Sequence, residues 1–225
     1  MLITLGIIGI IAAITLPVLI KNYQKHVTVN CLKKEYSVIS NALVTSQEEN
    51  GDMTTWGVPG YVSAGYESLI PFFKNYIIKY LNVADDCGLD CKKQKGILRY
   101  RLNGKDYTSW NSPDLYVAYL KDGSIIALQA DNDSVVYGLV RIYIDINGDK
   151  GPNVFGKDVF TIRLDTINSA IRLSGVDAIK RLKNRDYALG NCRECCSKTA
   201  GNYSGDFCSG LIQYDGWKIS KDYPW

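Results

Sequence analysis

The stretch that decides the fold is residues 2–20, LITLGIIGIIAAITLPVLI, near the start of the chain. It contains no charged residue, and its two polar side chains, Thr4 and Thr15, can each bond back to their own helix. As a helix, the stretch rises about 28 Å, which is close to the hydrocarbon thickness of a bilayer. The apolar stretch is followed by polar residues, which mark the return to the membrane–water interface: Lys21, Asn22 and Lys25. The sequence therefore predicts a helix that lies in a membrane or packs against other helices.

The same helix is predicted to continue to Asn50 with a different surface. Apolar side chains recur there at three- and four-residue spacing, which is typical of one buried helix face: Val29, Leu32, Tyr36, Ile39 and Leu43. Charged side chains such as Lys33 and Glu35 lie off that stripe, and Asn50-Gly51 is a stop signal. We therefore expect one helix of nearly 50 residues, about 70 Å long, whose second half packs on a folded domain.

The chain thus divides into an apolar half-helix (1–20), an amphipathic half-helix (21–50) and a globular domain (51–225). The first half is expected to protrude from the domain. Pro17 removes one backbone hydrogen bond and crowds the carbonyl of Ala13, so a kink or local melting is expected there.

Composition limits the classes of function. The 225 residues suit one domain of moderate size plus the anchor. The net charge is only +3, and lysine and arginine are scattered among acidic residues. Because no basic stripe is present, we expect no specific nucleic-acid site.

Seven cysteines indicate the compartment. They occur as a close pair, a second cluster and an isolated residue: Cys87 and Cys91; Cys192, Cys195, Cys196 and Cys208; and Cys31. Clustered cysteines behind a membrane segment are typical of an exported, disulfide-bonded domain. The alternative is a zinc site, since C-x3-C and C-x2-C spacing can supply four thiolates. We expect Cys31 to be a free thiol on a helix face.

The rest of the chain predicts an α+β fold with an antiparallel sheet covered by the amphipathic half-helix. Five strands are predicted after an irregular region: 97–102 (ending in a hairpin turn at 103–105), 115–120 with its partner 125–129, 135–144 and 159–164. Three or four consecutive antiparallel strands among them can form a sheet with one buried face. A helix is expected after Pro71, a polar loop over 85–95 and a short helix within 174–183. The cysteine-rich loop 191–210 precedes a tail with one short strand.

One motif carries chemistry. Alternating acidic and amide side chains between two predicted strands can supply several oxygens to calcium: Asp145, Asn147, Asp149, Asn153 and Asp158. The first half fits an EF-hand-like D-x-N-x-D loop, but Lys150 stands where that loop needs glycine and Gly156 where it needs glutamate. The alternative is a structural turn whose Asp and Asn side chains cap their own backbone.

Catalysis finds little support in the sequence. The single histidine, His26, lies six residues past the apolar stretch and is interpreted as a membrane-surface residue. No serine stands in a G-x-S-x-G motif, and no phosphate-binding loop is present. We therefore expect no enzymatic activity and no organic cofactor.

Residues 2–25, LITLGIIGIIAAITLPVLIKNYQK, closely resemble the N-terminal helix of type IV pilins and type II secretion pseudopilins. The matching features are the Gly/Ile-rich helix, Ala12-Ala13, Pro17 and Asn22-Tyr23. A weaker likeness to a bacterial subgroup covers the loop 145–153 and the closing DGWKI at 215–219. The resemblance implies a pilin-like fold.

The resemblance also implies a structural role in a filament. Prepilin peptidase removes a leader and methylates the new N-terminus, and the subunit waits in the inner membrane as a single-pass protein with its C-terminal domain outside. An assembly platform then moves it into a pilus or secretion filament, where apolar half-helices pack together. Small residues allow that close approach. The implied assembly residues are Leu5, Gly6, Gly9, Ala12, Ala13 and Pro17.

Three interpretations remain open beside this one. The family's leader, cleavage site and early glutamate do not occur in the sequence, so we expect codons upstream of Met1 to encode a Phe-Thr-Leu-x-Glu-like stretch, with a processed or defective copy as the alternative. The apolar helix can also be a plain anchor for a calcium-stabilised binding module. A secretory signal peptide fits poorly, because no basic n-region precedes the apolar run and no A-x-A site follows it.

Overall fold

The computed structural model describes residues 2–59, 65–130 and 139–225. Its first element, α1, runs without interruption over Leu2–Asn50. It ends as predicted at Gly51, which has a φ of +79° and whose amide donates to the Gln47 carbonyl at 2.9 Å. Of the two alternatives predicted at Pro17, a kink or local melting, local melting is wrong, because the missing hydrogen bond is one among many and the helix continues on both sides.

Six strands form an antiparallel sheet in the order β1-β4-β5-β6-β7-β8, while β2 and β3 pair as a separate hairpin. Three short α-helices and five 3-10 segments complete the described fold. The strands are β1 Val83–Leu89, β2 Leu98–Tyr100, β3 Tyr107–Ser109, β4 Tyr116–Leu120, β5 Ile125–Ala130, β6 Leu139–Asp145, β7 Val159–Asp165 and β8 Ala170–Leu173, and the helices are α2 Leu69–Tyr76, α3 Val176–Leu182 and α4 Cys208–Tyr214.

The amphipathic half of α1 covers one face of this sheet, as predicted. The stripe residues Val29, Leu32, Ile39 and Leu43 are buried in one cluster with sheet residues such as Ile126, Leu128, Ile142 and Ile162. Polar contacts fix the helix across the sheet, since Lys34 pairs with Asp122 at 2.5 Å and the Tyr36 hydroxyl donates to the Ile171 carbonyl at 3.3 Å. The long N-terminal helix on an antiparallel sheet confirms the α+β prediction.

Burial differs from the prediction in two places. The sheet was expected to bury one face, yet its other face is also covered, by a second cluster that includes Trp110, Val117, Tyr143 and Phe155. Glu35, expected on the polar side of α1, is only 2% exposed because it lies under the turn that carries Asp122. The spacing of apolar residues along one helix gives no information about which of its polar side chains a neighbouring turn covers.

Three elements were predicted wrongly. The expected polar loop over 85–95 begins as the edge strand β1, because its backbone pairs with β4 despite polar side chains. The helix near Pro71 begins earlier, at Leu69, which places the proline in the first turn where its missing amide is tolerated. The tail strand is absent from the described residues, and α4 forms instead. Strand β8 was not predicted, and residues 135–138 of the predicted β6 lie outside the described residues.

The cysteines pair locally. Three disulfides form, Cys87–Cys91, Cys192–Cys195 and Cys196–Cys208, and Cys31 is free. The disulfide-bonded C-terminal region is therefore confirmed, and the zinc interpretation is wrong because all six clustered sulfurs are consumed.

Candidate functional site

The apolar half of α1 extends away from the domain with its side chains uncovered. Along residues 7–20 the large hydrophobic side chains are 52–68% exposed, with Ile14 at the upper end. An exposed apolar surface of this length needs lipid or protein around it. By length and composition, this is the one helix in the described part of the chain that could cross a membrane.

Four of the six predicted assembly residues lie on this exposed segment. Gly9, Ala13 and Pro17 are exposed and Ala12 is partly covered. A Cβ atom added at Gly9 would meet nothing within 4 Å, so no contact within the subunit requires a glycine at this position. The surroundings of Leu5 and Gly6 lie outside what the structure describes. The segment thus offers small residues and branched apolar ones to whatever surrounds it.

The calcium-like loop lies near the point where α1 enters the domain. It joins β6 to β7, and across a cavity of about 410 Å³ its residues Asn147 and Asp158 face Val27 and Cys31 of α1. Asp158 holds the loop together, because its carboxylate accepts from the amides of Asn153 and Val154, both at 2.7 Å. The interpretation of a turn that caps its own backbone is confirmed for this residue.

A buried arginine neutralises two of the predicted calcium ligands. The Arg99 guanidinium donates from Nε to Asp145 at 3.0 Å and from a terminal nitrogen to Asp149 at 3.1 Å. Its other terminal nitrogen donates to Gln94 at 2.6 Å, and its Cζ atom lies 3.6 Å from the centroid of the Trp110 ring. A positive charge is therefore already part of the site, supplied by the chain itself.

Three oxygens of the same loop have no hydrogen-bond donor. Asp145 Oδ1, Asn147 Oδ1 and Asn153 Oδ1 are buried and accept from none of the described residues. Burial raises the pKa of Asp145 to about 7 in spite of Arg99, and burial also raises the pKa of Asp158. Unpartnered oxygens of this kind suit a hard cation such as calcium.

The geometry does not by itself decide for a metal. No group of three or more His, Cys, Asp or Glu side chains within the described ranges could hold a metal ion. The structure brings Asn147 within 3.5 Å of Asp158, whereas Asp149 turns to Arg99 and Gln94. Calcium binding therefore stays a prediction, with Asp145, Asn147, Asn153 and Asp158 as its remaining candidate ligands.

Sequence reasoning missed two buried arginines. Arg99 is 0% exposed, and Arg101 is 5% exposed and pairs with the buried Asp206 at 2.6 Å. Two arginines at i and i+2 on a strand normally predict a solvent-facing side. No local signal distinguishes that case from a strand whose polar face is covered by another part of the fold.

A family model matches residues 18–225 and is described as a family of unknown function, DUF6613. The chain belongs to this family. The DUF6613 match covers the amphipathic half of α1 and the whole globular domain. No curated protein and no solved structure matches the chain.

Proposed function

We propose that this protein is a structural subunit, a pilin or pseudopilin, of a type IV pilus or type II secretion filament. In this proposal its N-terminal helix holds it in the inner membrane and is also the element through which it polymerises. The observation that carries the proposal is the single continuous helix α1, one half packed in the domain and the other half exposed and apolar. The resemblance of residues 2–25 to prepilin helices supports the same role.

The physical chemistry of the exposed half suits a change of surroundings. In a membrane, a helix gains no hydrophobic free energy when it exchanges lipid tails for another helix, because both are equally apolar. Close packing of small residues therefore decides whether helices associate. Gly9, Ala12 and Ala13 provide such positions, and the packed half of α1 connects that contact rigidly to the domain. The implied partners are other subunits, an inner-membrane assembly platform and prepilin peptidase.

Cross-linking of introduced cysteines tests the proposal. We would replace Cys31 by serine and introduce the pair Ile8→Cys and Val18→Cys on the exposed helix, in the native membrane with its assembly machinery. A control protein carries Ile167→Cys and Tyr187→Cys, two exposed sites on the domain. Head-to-tail contacts connect an open series of copies, so two cysteines per subunit produce a ladder where single cysteines stop at dimers.

The expected result is a ladder of multimers with the helix pair and none with the domain pair. Further cysteine pairs along residues 7–20 test other possible shifts, along the helix axis, between the α1 helices of adjacent subunits. If every helix pair gives only monomers although the chain is embedded in the membrane, polymerisation through α1 is rejected. The anchored binding module is then the better interpretation.

A further inference from the structure

A basic cavity lies beside α1, just beyond its apolar half. It measures about 490 Å³ and is formed between the first turns of the amphipathic half-helix and the C-terminal tail. Residues that line it include Asn22, Lys25, His26, Trp217, Lys218 and Lys221. Its position joins the part of the helix that leaves the apolar segment to the end of the chain.

The lysines of this cavity lack acidic partners. Its lining includes no aspartate or glutamate, and in the described ranges Lys25, Lys218 and Lys221 form no ion pair. Lys25 is half-buried, and the other two are exposed. The cavity therefore carries a local excess of positive charge in a protein whose net charge is only +3.

The tail that supplies two of these lysines is fixed in place. Arg185 donates to Asp215 at 2.5 Å and to Asp222 at 2.7 Å, one on each side of the segment 216–221. These two aspartates are the acidic residues nearest in sequence to Lys218 and Lys221, and Arg185 already pairs with both. Trp217 packs against Tyr36 of α1, with ring centroids 6.1 Å apart. These contacts hold the segment that carries Lys218 and Lys221 in a fixed position against α1.

The height of the cavity matches the headgroup layer of a bilayer. Lys25 follows Ile20, the last residue of the apolar stretch, by five positions, which is a rise of about 7.5 Å along the helix. The polar layer on each side of a bilayer is roughly 5–8 Å thick.

We propose that this cavity binds the phosphate of an anionic phospholipid in the leaflet where α1 leaves the membrane. The inference rests on the membrane placement in the proposed function but not on polymerisation. An anionic lipid would neutralise the three lysines and orient the domain on the membrane surface while the subunit is held there.

Native mass spectrometry of the full chain tests this binding. The protein is kept in neutral detergent micelles that contain phosphatidylglycerol and phosphatidylcholine in equal amounts, and the ratio of the two bound lipids is measured. The test variant carries Lys25→Gln, Lys218→Gln and Lys221→Gln. The control carries Lys21→Gln, which removes a neighbouring exposed charge that does not line the cavity.

The wild type and the Lys21→Gln control should retain phosphatidylglycerol preferentially. The triple variant should lose about fivefold in this preference per lysine, on the order of a hundredfold in total. If Lys21→Gln loses as much per charge as the triple variant, the attraction is a diffuse surface effect and the cavity is rejected. Equal thermal unfolding midpoints by circular dichroism show that the variants are folded.

Two further measurements separate the possible sources of phosphate and the two proposals. Titration with inorganic phosphate, followed by tryptophan fluorescence, should give much weaker binding than the lipid, and equal affinity would overturn the assignment to a headgroup. Carbonate extraction of the membranes tests the anchor. A chain that is extracted overturns both the membrane placement and this inference, whereas an embedded chain without lipid preference overturns the inference alone.

Discussion

The buried arginine of the candidate loop allows a sharp test of what holds this site together. Replacing Arg99 by methionine keeps the length of the side chain but removes the charge that faces Asp145 and Asp149. Because Arg99 and Asp145 are both 0% exposed, the change leaves a buried carboxylate without its cation. Loss of one partner of a buried ion pair costs about 3–5 kcal/mol, which is a large part of the roughly 5–15 kcal/mol that holds a domain folded.

The assay is urea unfolding of the full chain in neutral detergent micelles, followed by far-ultraviolet circular dichroism. Fluorescence is unsuitable here because Arg99 lies against Trp110. The matched control is Lys93→Met, which removes an exposed lysine that pairs with Asp85, and such surface pairs contribute about 0–1 kcal/mol. A loss below about 1 kcal/mol for Arg99→Met, equal to that of the control, would refute a structural role for the buried pair.

Calcium titration of the wild type separates the two interpretations of the loop. A ligand that binds only the folded state stabilises it by about 2.7 kcal/mol at a hundred times its dissociation constant. A calcium site therefore predicts a rise in the urea midpoint with calcium that Asp158→Asn reduces. A purely structural turn predicts no change with calcium, and an equal rise in the variant contradicts binding through Asp158.

Three further predictions concern stability, each measured by urea unfolding of the full chain in micelles. Leu43→Ala, at a fully buried position of α1, should cost about 2–5 kcal/mol, whereas Val44→Ala, which is 54% exposed, should stay within about 0.5 kcal/mol, and equal losses would contradict the packing. Burial and the Asp122 carboxylate raise the pKa of Glu35 from 4.5 to about 7, so stability should fall as pH rises through that window. Because Asp145 contributes a slope of the same sign in this window, Glu35→Gln should reduce the slope rather than remove it, and it should gain up to about 3 kcal/mol above the window. An unchanged slope speaks against the burial of Glu35. Replacing both Cys196 and its partner by alanine should cost about 2–4 kcal/mol, and a loss below about 0.5 kcal/mol contradicts a stabilising bond.

The helix and most of the sheet could be predicted because their signals are local. The apolar composition of 2–20 and the spacing of Leu32, Ile39 and Leu43 depend on helix geometry alone. Residues 116–120 and 125–128 are continuous apolar runs joined by a glycine turn, and recognising them as strands needs no knowledge of the rest of the chain.

The missed elements depend on partners that are distant in sequence. Strand β1 carries Asp85 and Asp86 and becomes a strand only because β4 offers it an edge. Helix α4 contains Gly210, at which a Cβ atom would lie 2.4 Å from the Ser174 carbonyl oxygen, so its path is decided by close packing. In the candidate site, the loop residues were identified by their spacing, but the contribution of Arg99 depends on which face of the sheet is covered.

The treatment of charge differs between the interior of the domain and the place where the helix leaves it. Inside, both buried arginines are matched by carboxylates, Arg99 by Asp145 and Arg101 by Asp206. Beside α1, within the described residues, Lys218 and the other cavity lysines have no such partner. Among the residues that the structure describes, the domain compensates these buried cations closely, yet it leaves an uncompensated basic cavity next to an uncovered apolar helix. Because the two unsatisfied surfaces adjoin, one environment with apolar chains below and anionic groups above can satisfy both at once, and a membrane has that arrangement.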